Sequence, residues 1–216
     1  VIAGANGSGK TTFLRHLNGL LSPDSGTVEV CGVSVKKDPL AARKMIGMVF
    51  QDADSQIVGD TVYDDVSFGP ENLRLDSSEI DSRVRRALAD VNLTGSEDKS
   101  PHNLSGGEKR RLAIAGVLAM APQVLLLDEP FSNLDYPATL TVLKQIRRLH
   151  AAGHTIIITT HDLEKVISLA SRLVVMNMGR VVQDGAPGTI VHEIEQYGIR
   201  PPCSVQLGMG IQKWAH

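Results

Sequence analysis

The stretch Gly4-Ala5-Asn6-Gly7-Ser8-Gly9-Lys10-Thr11 decides how the rest of this sequence is interpreted. It follows Val1-Ile2-Ala3, which is typical of the end of a buried strand, and it precedes Phe13, Leu14 and Leu17, which repeat at helical spacing. Glycines adopt backbone angles that are closed to other residues, so successive N–H groups of such a turn can point inward around an anion. A strand, a glycine-rich turn and a helix in this order predict a phosphate-binding P-loop.

The chemistry of the P-loop predicts a role for each of its side chains. The helix that follows adds the positive end of its dipole, and Lys10 supplies a charge for the β- and γ-phosphates. The Thr11 hydroxyl is expected to coordinate Mg²⁺. A chance match somewhere in the chain has odds on the order of 1 in 100, so the stretch predicts ATP binding. The expected ATP contacts here are Gly4, Ala5, Asn6, Gly7, Ser8, Gly9, Lys10, Thr11 and Thr12.

The composition of the chain argues against several classes of protein. A net charge of −2 gives no general attraction to nucleic acid, so no nucleic-acid partner is expected. Cys31 and Cys203 form no CxxC pair, which favours reduced thiols over a metal site or a disulfide. No apolar run approaches the ~20 residues of a membrane-spanning helix. Because Val1 lies so close to the P-loop, we expect a missing N-terminal segment with further strands to precede it.

Apolar runs and helical repeats alternate along the rest of the chain. Strands are predicted at 27–35 (as a strand or hairpin), 46–50, 124–127, 155–160, 173–176 and 179–184. Helices are predicted from the P-loop to Leu21, around 80–88, and at 105–119, 140–149 and 163–169. The stretch 51–101, polar and acidic and then helical, suggests an inserted helical lobe. This alternation predicts an α/β fold with a parallel sheet.

A second motif places two acids at the end of an apolar strand. Val124-Leu125-Leu126-Leu127 leads directly into Asp128 and Glu129. Such a strand delivers both carboxylates to its carboxyl end, where α/β sheets bind ligands. In a chain with a P-loop, Asp128 is expected to hold Mg²⁺ through its water shell, and Glu129 is expected to orient or deprotonate the attacking water.

A third motif, Leu104-Ser105-Gly106-Gly107-Glu108, combines a helix start with two glycines. Ser105 as the N-cap residue, with Glu108 three residues later, forms a capping box. Small residues at the start of a helix also leave its N–H groups open to an anion. The motif therefore predicts a helix cap, a second phosphate-binding segment, or both.

The motifs together resemble those of the ATP-binding-cassette (ABC) ATPases over about residues 1–185. Leu104–Glu108, between the P-loop and the acidic strand end, resembles the family signature. Gln51 resembles the Q-loop glutamine that touches Mg²⁺ and the attacking water, and Ser132–Asp135 resembles the D-loop. His161 resembles the switch histidine that contacts the γ-phosphate.

This resemblance implies an α/β fold of the P-loop NTPase (RecA-like) kind, with a parallel sheet core and an inserted α-helical subdomain. The implied divisions are a RecA-like ATP-binding core at 1–51 and 118–187 without its N-terminal strands, a helical subdomain with the signature at 52–117, and a C-terminal tail at 188–216. The family also carries an aromatic residue upstream of the P-loop that stacks on adenine. No such position exists in this sequence, so we expect weaker ATP binding than in a chain that carries one.

The site residues implied by the resemblance fall into three groups. The implied catalytic residues are Glu129, His161 and Gln51. Further ATP contacts are implied for Ser105, Gly106, Gly107 and Asp135. Mg²⁺ would be held by Thr11, Gln51 and Asp128. The resemblance also implies a head-to-tail dimer with a second ATPase subunit, identical or different, in which each ATP lies between one subunit's P-loop and the partner's signature.

Five segments are similar to a narrower group, the ATPases of energy-coupling-factor (ECF) importers, which include the cobalt and nickel importers. They are Phe50–Gln56, Phe68–Asn72, Ser105–Arg111, Ile114–Met120 and Gly198–Pro202. This resemblance implies uptake of a metal ion or vitamin through a transmembrane coupling subunit and a substrate-binding membrane subunit. The chain would then lie peripherally on the cytoplasmic face of the cell membrane.

Other functions remain open at this point. The segment 68–72 argues against a conventional ABC importer or exporter subunit. Soluble ABC proteins of DNA repair or translation tend to have long insertions or two cassettes, whereas this sequence shows one cassette and no long insertion. A P-loop protein outside the ABC family would not account for Ser105–Glu108. The acidic residues Asp52, Asp54, Asp60, Asp64 and Asp65 are either a docking surface for a basic helix of a membrane subunit or a solvated surface.

Overall fold

The computed structural model describes residues 1–214 of the chain; Ala215 and His216, the end of the predicted tail, lie outside the described residues. The strands are β1 (Ile2–Ala3), β2 (Glu29–Val30), β3 (Val33–Ser34), β4 (Ile46–Val49), β5 (Val124–Asp128), β6 (Thr155–Thr160), β7 (Leu173–Asn177) and β8 (Arg180–Gly185). The helices are α1 (Lys10–Leu17), α2 (Pro39–Met45), α3 (Val62–Asn72), α4 (Ser77–Asp90), α5 (Gly106–Ala119), α6 (Tyr136–Ala151), α7 (Pro187–Ile190) and α8 (Cys203–Gln206).

The main sheet of these residues has the strand order β4-β5-β6-β1-β7-β8. Neighbouring strands from β4 to β7 are parallel, and β8 joins the edge as an antiparallel partner of β7. In β5, Leu125 and Leu127 pack into one apolar cluster and Leu126 packs into another on the opposite face. Burial on both faces is the reason for the continuous apolar run of this strand. The predicted α/β fold with a parallel sheet is confirmed.

Helices α3, α4 and α5 pack against one another beside the sheet. Val66, Val84 and Leu112 are fully buried in their shared apolar cluster. Helix α5 also contacts β4 and α6, so it connects this helical group to the sheet. All three helices begin within the interval 52–117 that the family resemblance implies for a helical subdomain. The separate hairpin of β2 and β3 accounts for the alternation seen at 27–35.

Two predicted helices are shorter in the structure than the sequence suggests. Helix α1 ends at Leu17, and Leu21 lies beyond it with 38% of its surface exposed. Gly19 has a φ of +70°, a left-handed conformation that ends helices, and Asn18 Oδ1 accepts a hydrogen bond from the Leu20 amide. The predicted helix at 163–169 is also wrong, because only a 3-10 turn forms, at Ile167–Leu169.

The side chain of Asp162 explains why no α-helix forms after β6. Its Oδ1 atom accepts the Glu164 amide, and its Oδ2 atom pairs with Lys165. Such local hydrogen bonds offer the backbone an alternative to the helical ladder. The segment that carries His161 is therefore a structured turn rather than a helix.

The described part of the C-terminal tail, residues 188–214, packs against the core. Ile190, Ile194, Ile199 and Val205 are buried in the larger apolar cluster. Glu164 Oε2 accepts a 2.7 Å hydrogen bond from the Cys203 amide, which ties α8 to the turn after β6. Within the described part of the chain, no helix combines the length and the apolar character needed to cross a membrane.

Candidate nucleotide-binding site

The P-loop runs from the end of β1 into α1, and its glycines are required either by the space around them or by their backbone angles. A Cβ atom on Gly4 would lie 2.3 Å from Ser8 Oγ and 2.6 Å from the carbonyl oxygen of Met176. Gly7 and Gly9 have φ values of +79° and +99°, which other residues rarely adopt. The Ser8 hydroxyl is buried without a hydrogen-bond partner among residues 1–214. The loop is therefore shaped as a turn of inward-facing polar groups, as an anion cradle requires.

Lys10 is the first residue of α1, and only 6% of it is exposed. Its Nζ atom donates to the carbonyl oxygens of Gly4 and Ala5, at 2.8 Å and 3.1 Å. The same nitrogen lies 3.6 Å from Oε1 of Glu129. The ammonium group is thus held beneath the P-loop, close to both the predicted phosphate site and the predicted catalytic carboxylate.

Thr11 and Asp128 meet across the sheet edge. The Thr11 hydroxyl donates to Asp128 Oδ2 at 2.8 Å, and the Thr159 hydroxyl donates to Asp128 Oδ1 at 2.5 Å. Asp128 is 2% exposed and Thr159 is fully buried. A hydroxyl and a carboxylate on one side of a phosphate cradle form an oxygen donor set that fits Mg²⁺.

Glu129 and His161 form the second polar pair of the site. His161 Nδ1 lies 3.0 Å from Glu129 Oε1, and the His161 side chain is half exposed. The Glu129 amide donates to the carbonyl oxygen of Thr159 at 3.1 Å, and its φ is +46°. This left-handed backbone, costly for a residue with a side chain, turns the chain sharply at the end of β5. As a result the Asp128 carboxylate contacts Thr11 and Thr159, whereas the Glu129 carboxylate contacts Lys10 and His161.

Two adjoining cavities surround these side chains. The first, of about 380 Å³, is lined by Asn6, Gly7, Ser8, Gly9, Lys10, Thr11, Thr12, Gln51 and Glu129. The second, of about 340 Å³, is lined by Gln51, Glu129, Phe131, Ser132, Asn133, Thr160, His161, Asp162 and Lys165. Gln51 and Glu129 belong to both. The structure therefore brings the predicted P-loop residues together with Gln51, Glu129 and His161.

The other predicted ATP contacts lie elsewhere. Ser105 and Glu108 form the predicted capping box, with the Ser105 amide donating to Glu108 Oε2 at 2.8 Å and the Glu108 amide donating to Ser105 Oγ at 3.3 Å. Asp135 caps α6 by accepting the Ala138 amide at 2.9 Å. A Cβ atom on Gly107 would lie 2.7 Å from Ala138 Cβ, so the starts of α5 and α6 pack closely. Neither start lines the two cavities.

Thr159 is a site residue that sequence reasoning missed. It lies at the carboxyl end of β6 and pairs in register with Asp128 of the neighbouring strand. The sequence does place two threonines, Thr159 and Thr160, at the end of a predicted strand. Because adjacent parallel strands end at the same sheet edge, this position could have marked them as candidate site residues. Without the strand order, their partner could not be identified.

Two of the acidic residues predicted as a docking surface have structural roles. Asp65 is 8% exposed, and its Oδ1 accepts the amides of Val58 and Gly59 at 2.7 Å and 3.1 Å. Asp64 forms a capping box with Thr61 at the start of α3. The buried carboxylate of Asp65 therefore stabilises the loop before α3 instead of forming part of a docking surface. Asp64 caps α3 and stays exposed, so it remains part of the candidate surface.

The comparisons with known proteins agree with this geometry. The ABC transporter family matches residues 1–132. A putative ABC transporter ATP-binding protein of Halobacterium salinarum is 52% identical, with 94% of this chain and 87% of that protein covered. The cobalt import ATP-binding protein CbiO of Rhodobacter capsulatus is 44% identical, with 96% and 76% covered.

Two further matches point to the same group. An energy-coupling factor transporter ATP-binding protein, EcfA, of Carboxydothermus hydrogenoformans is 43% identical, with 96% of this chain and 78% of that protein covered. The solved structure of cbiO1 from Clostridium perfringens, part of the ABC transporter complex cbiONQ, superposes with a TM-score of 0.82 at 39% identity, covering 96% of this chain and 85% of that one. The chain therefore belongs to the ABC transporter family, as an ATPase whose hydrolysis of ATP is coupled to transport, and it is similar to the ATPases of energy-coupling-factor and cobalt importers.

Proposed function

We propose that this chain is the ATP-hydrolysing subunit of an ECF-type importer that takes up a transition-metal ion, cobalt or nickel, or a vitamin. The relatives named for cobalt import and for energy coupling support the importer type. The main structural support for ATP hydrolysis is the contact of Glu129 with His161 at the edge of the P-loop cavity. In this function the chain lies peripherally on the cytoplasmic face of the membrane. Its divisions are the core (1–51 and 118–187), the helical subdomain (52–117) and the tail (188–216).

Hydrolysis would be organised by the residues at the sheet edge. The P-loop amides and Lys10 bind and orient the phosphates, and Thr12 also lines the cavity. Thr11, Gln51 and Asp128 would hold Mg²⁺, which would supply positive charge that offsets the negative charge of the phosphates. Glu129 would accept the proton of the attacking water, and its contacts with Lys10 and His161 both use Oε1. His161, on the exposed side, contacts the γ-phosphate.

A single copy of the chain would hold only half of each ATP site. Ser105, Gly106, Gly107 and Asp135 lie at the close-packed starts of α5 and α6, outside the cavity lining. Apart from its chain neighbours and its own helix backbone, Gly106 has no atom of residues 1–214 within 4 Å of the position that a Cβ would occupy, so the start of α5 is open to an approaching group. We place these residues against the ATP held by a second ATPase subunit, identical or different. In that arrangement ATP joins the two subunits.

The membrane coupling subunit would dock in an apolar groove of about 390 Å³ beside α2, α3 and α5. Leu40, Val58 and Phe68 line it with 66%, 62% and 54% of their surfaces exposed, which is high for large apolar side chains. An amphipathic helix of the coupling subunit would cover them with its apolar face. The substrate-binding membrane subunit would then be reached through the coupling subunit, so this chain need not touch the cargo.

Assembly with the membrane subunits tests the proposal. Phe68→Asp is compared with Val181→Asp, which alters another half-exposed apolar residue on the distant strand β8. Each variant is co-expressed with ECF-type membrane subunits, and the ATPase recovered with the membrane complex is measured. We expect Phe68→Asp to lower the amount of ATPase recovered with the membrane complex at least about tenfold, because a buried charge costs several kcal/mol. Equal recovery of both variants would reject the groove, and no recovery of wild type would reject the importer function.

A further inference from the structure

One loop, Phe50–Val58, connects the apolar groove to the ATP cavity. Gln51 at its beginning lines both cavities at the P-loop. Gln56 and Val58 at its end line the apolar groove. Any movement of this loop therefore changes both sites, and the contacts that fix the loop decide how the two are coupled.

Arg110 of α5 is buried against the beginning of this loop. Only 4% of the residue is exposed. Its guanidinium donates to the carbonyl oxygen of Phe50 at 2.6 Å and to that of Gln51 at 2.5 Å. Its Nε atom is buried without a hydrogen-bond partner in the described part of the chain. Burial lowers the pKa of Arg110, and the nearby charges of Asp52 and Asp128 oppose this effect.

A buried guanidinium held by two backbone carbonyls is an expensive arrangement. A charge removed from water is normally compensated by a carboxylate in close contact. Here the two short bonds run to the backbone of the loop, in a fork that only arginine provides. An apolar side chain would fill the same space at lower cost. The arrangement is therefore better explained by what it does to the loop than by stability.

Neighbouring contacts fix the same loop at other points. The Gln56 side chain accepts the Phe50 amide and donates to the carbonyl oxygen of Met48, both at 3.1 Å, so it continues the pairing of the edge strand β4. Lys109 pairs with Asp54 at 2.5 Å. Gln56 thus ties the loop to the sheet, whereas Lys109 and Arg110 tie it to α5. Of these side chains, Arg110 is the one that bonds directly to the Gln51 backbone.

We infer that Arg110 is a positioning residue. It holds the Gln51 side chain in position in the ATP site and transmits movements of helix α5 to Gln51. This inference rests on the proposed role of Gln51 at Mg²⁺ and the attacking water. Because α5 begins at the Ser105–Gly107 segment, an ATP bound there by the partner subunit would shift Gln51 through Arg110.

A double-mutant cycle with Gln51 separates positioning from general stability. Steady-state ATP hydrolysis and its Mg²⁺ dependence are measured for Arg110→Met, Gln51→Ala and the double variant. We expect Arg110→Met to lower kcat by about 10- to 100-fold and to raise the Mg²⁺ requirement, because displacing a catalytic group by about 1 Å has effects of this size. In the Gln51→Ala background the same change should have no further effect, since residues that act as a unit are non-additive. Arg110→Lys, which keeps one donor group, should recover part of the loss.

Arg111 provides a matched control on the same helix. It also donates to two backbone carbonyls, those of Val91 and Asn92 at 3.0 Å and 2.9 Å, but these follow α4. Any slowing by Arg111→Met should be the same in the wild type and in the Gln51→Ala background. If Arg110→Met slows the Gln51→Ala variant as much as the wild type, the inference is overturned while the role of Gln51 stands. If Gln51→Ala keeps the wild-type rate, the proposed role of Gln51 fails, and the inference fails with it.

Discussion

Oε1 of Glu129 lies 3.0 Å from Nδ1 of His161 and 3.6 Å from Nζ of Lys10. One carboxylate oxygen thus contacts two nitrogen atoms, one from the P-loop helix and one from the turn after β6. Lys10 is almost completely buried, whereas the His161 side chain is half exposed. This arrangement makes Glu129 the residue on which the proposed chemistry depends.

Glu129→Gln preserves the shape of the side chain and removes its basicity. We expect ATP binding to remain close to that of the wild type, because the P-loop contacts are unchanged, while turnover falls by about 10²–10⁴-fold. Nucleotide binding and single-turnover hydrolysis would be measured on the same preparations. Glu195→Gln, which changes an exposed carboxylate in the tail, is the control. Turnover near the wild-type rate in Glu129→Gln would remove Glu129 from the role of base.

Thr159→Val replaces a buried hydroxyl by a methyl group of similar size. Asp128 Oδ1 would lose its 2.5 Å hydrogen bond, and the carboxylate would be free to rotate away from Thr11. We expect the Mg²⁺ concentration for half-maximal hydrolysis to rise by about 10- to 100-fold, which is typical for partners that orient metal ligands. Thr160→Val is the control, because that hydroxyl bonds to the carbonyl oxygen of Asp162. An equal Mg²⁺ dependence in both variants would contradict the prediction.

The sequence predicted those parts of the fold and site that depend on local pattern. The apolar run of β5 with its two terminal acids, and the capping box at Ser105, are both encoded within a few residues. Contacts between distant segments could not be predicted, and the bond of Thr159 to Asp128 is an example. The helix predicted at 163–169 failed for a different reason, since the Asp162 side chain competes with helical hydrogen bonds. Helical spacing alone does not detect such competition.

Asp65→Asn tests the structural role assigned to a residue that the sequence also offers for docking. Its buried carboxylate accepts two amides of the preceding loop. Hydrogen bonds to a charged group contribute about 1.5–3 kcal/mol, so we expect a loss of this order in the free energy of unfolding. Asp60→Asn, at an exposed position in the same segment, should change it by less than about 0.5 kcal/mol. Urea unfolding measures both, and equal stabilities would show that the Asp65 contacts contribute nothing.

Glu108 makes the start of α5 sensitive to acid. Hydrogen bonds from the hydroxyl and then the amide of Ser105 lower the pKa of the Glu108 carboxyl below its usual value of about 4.3. Because the folded state favours the ionised form, its contribution to stability is present above that usual value and is lost as the pH falls through the lowered pKa. Glu108→Gln has no titrating group here, so the difference in unfolding free energy between wild type and variant should be largest near neutral pH and should shrink in acid. Urea unfolding of both proteins from about pH 7 to about pH 3 measures this difference. A difference that stays constant over the range would show that the capping bonds do not depend on the charge of Glu108.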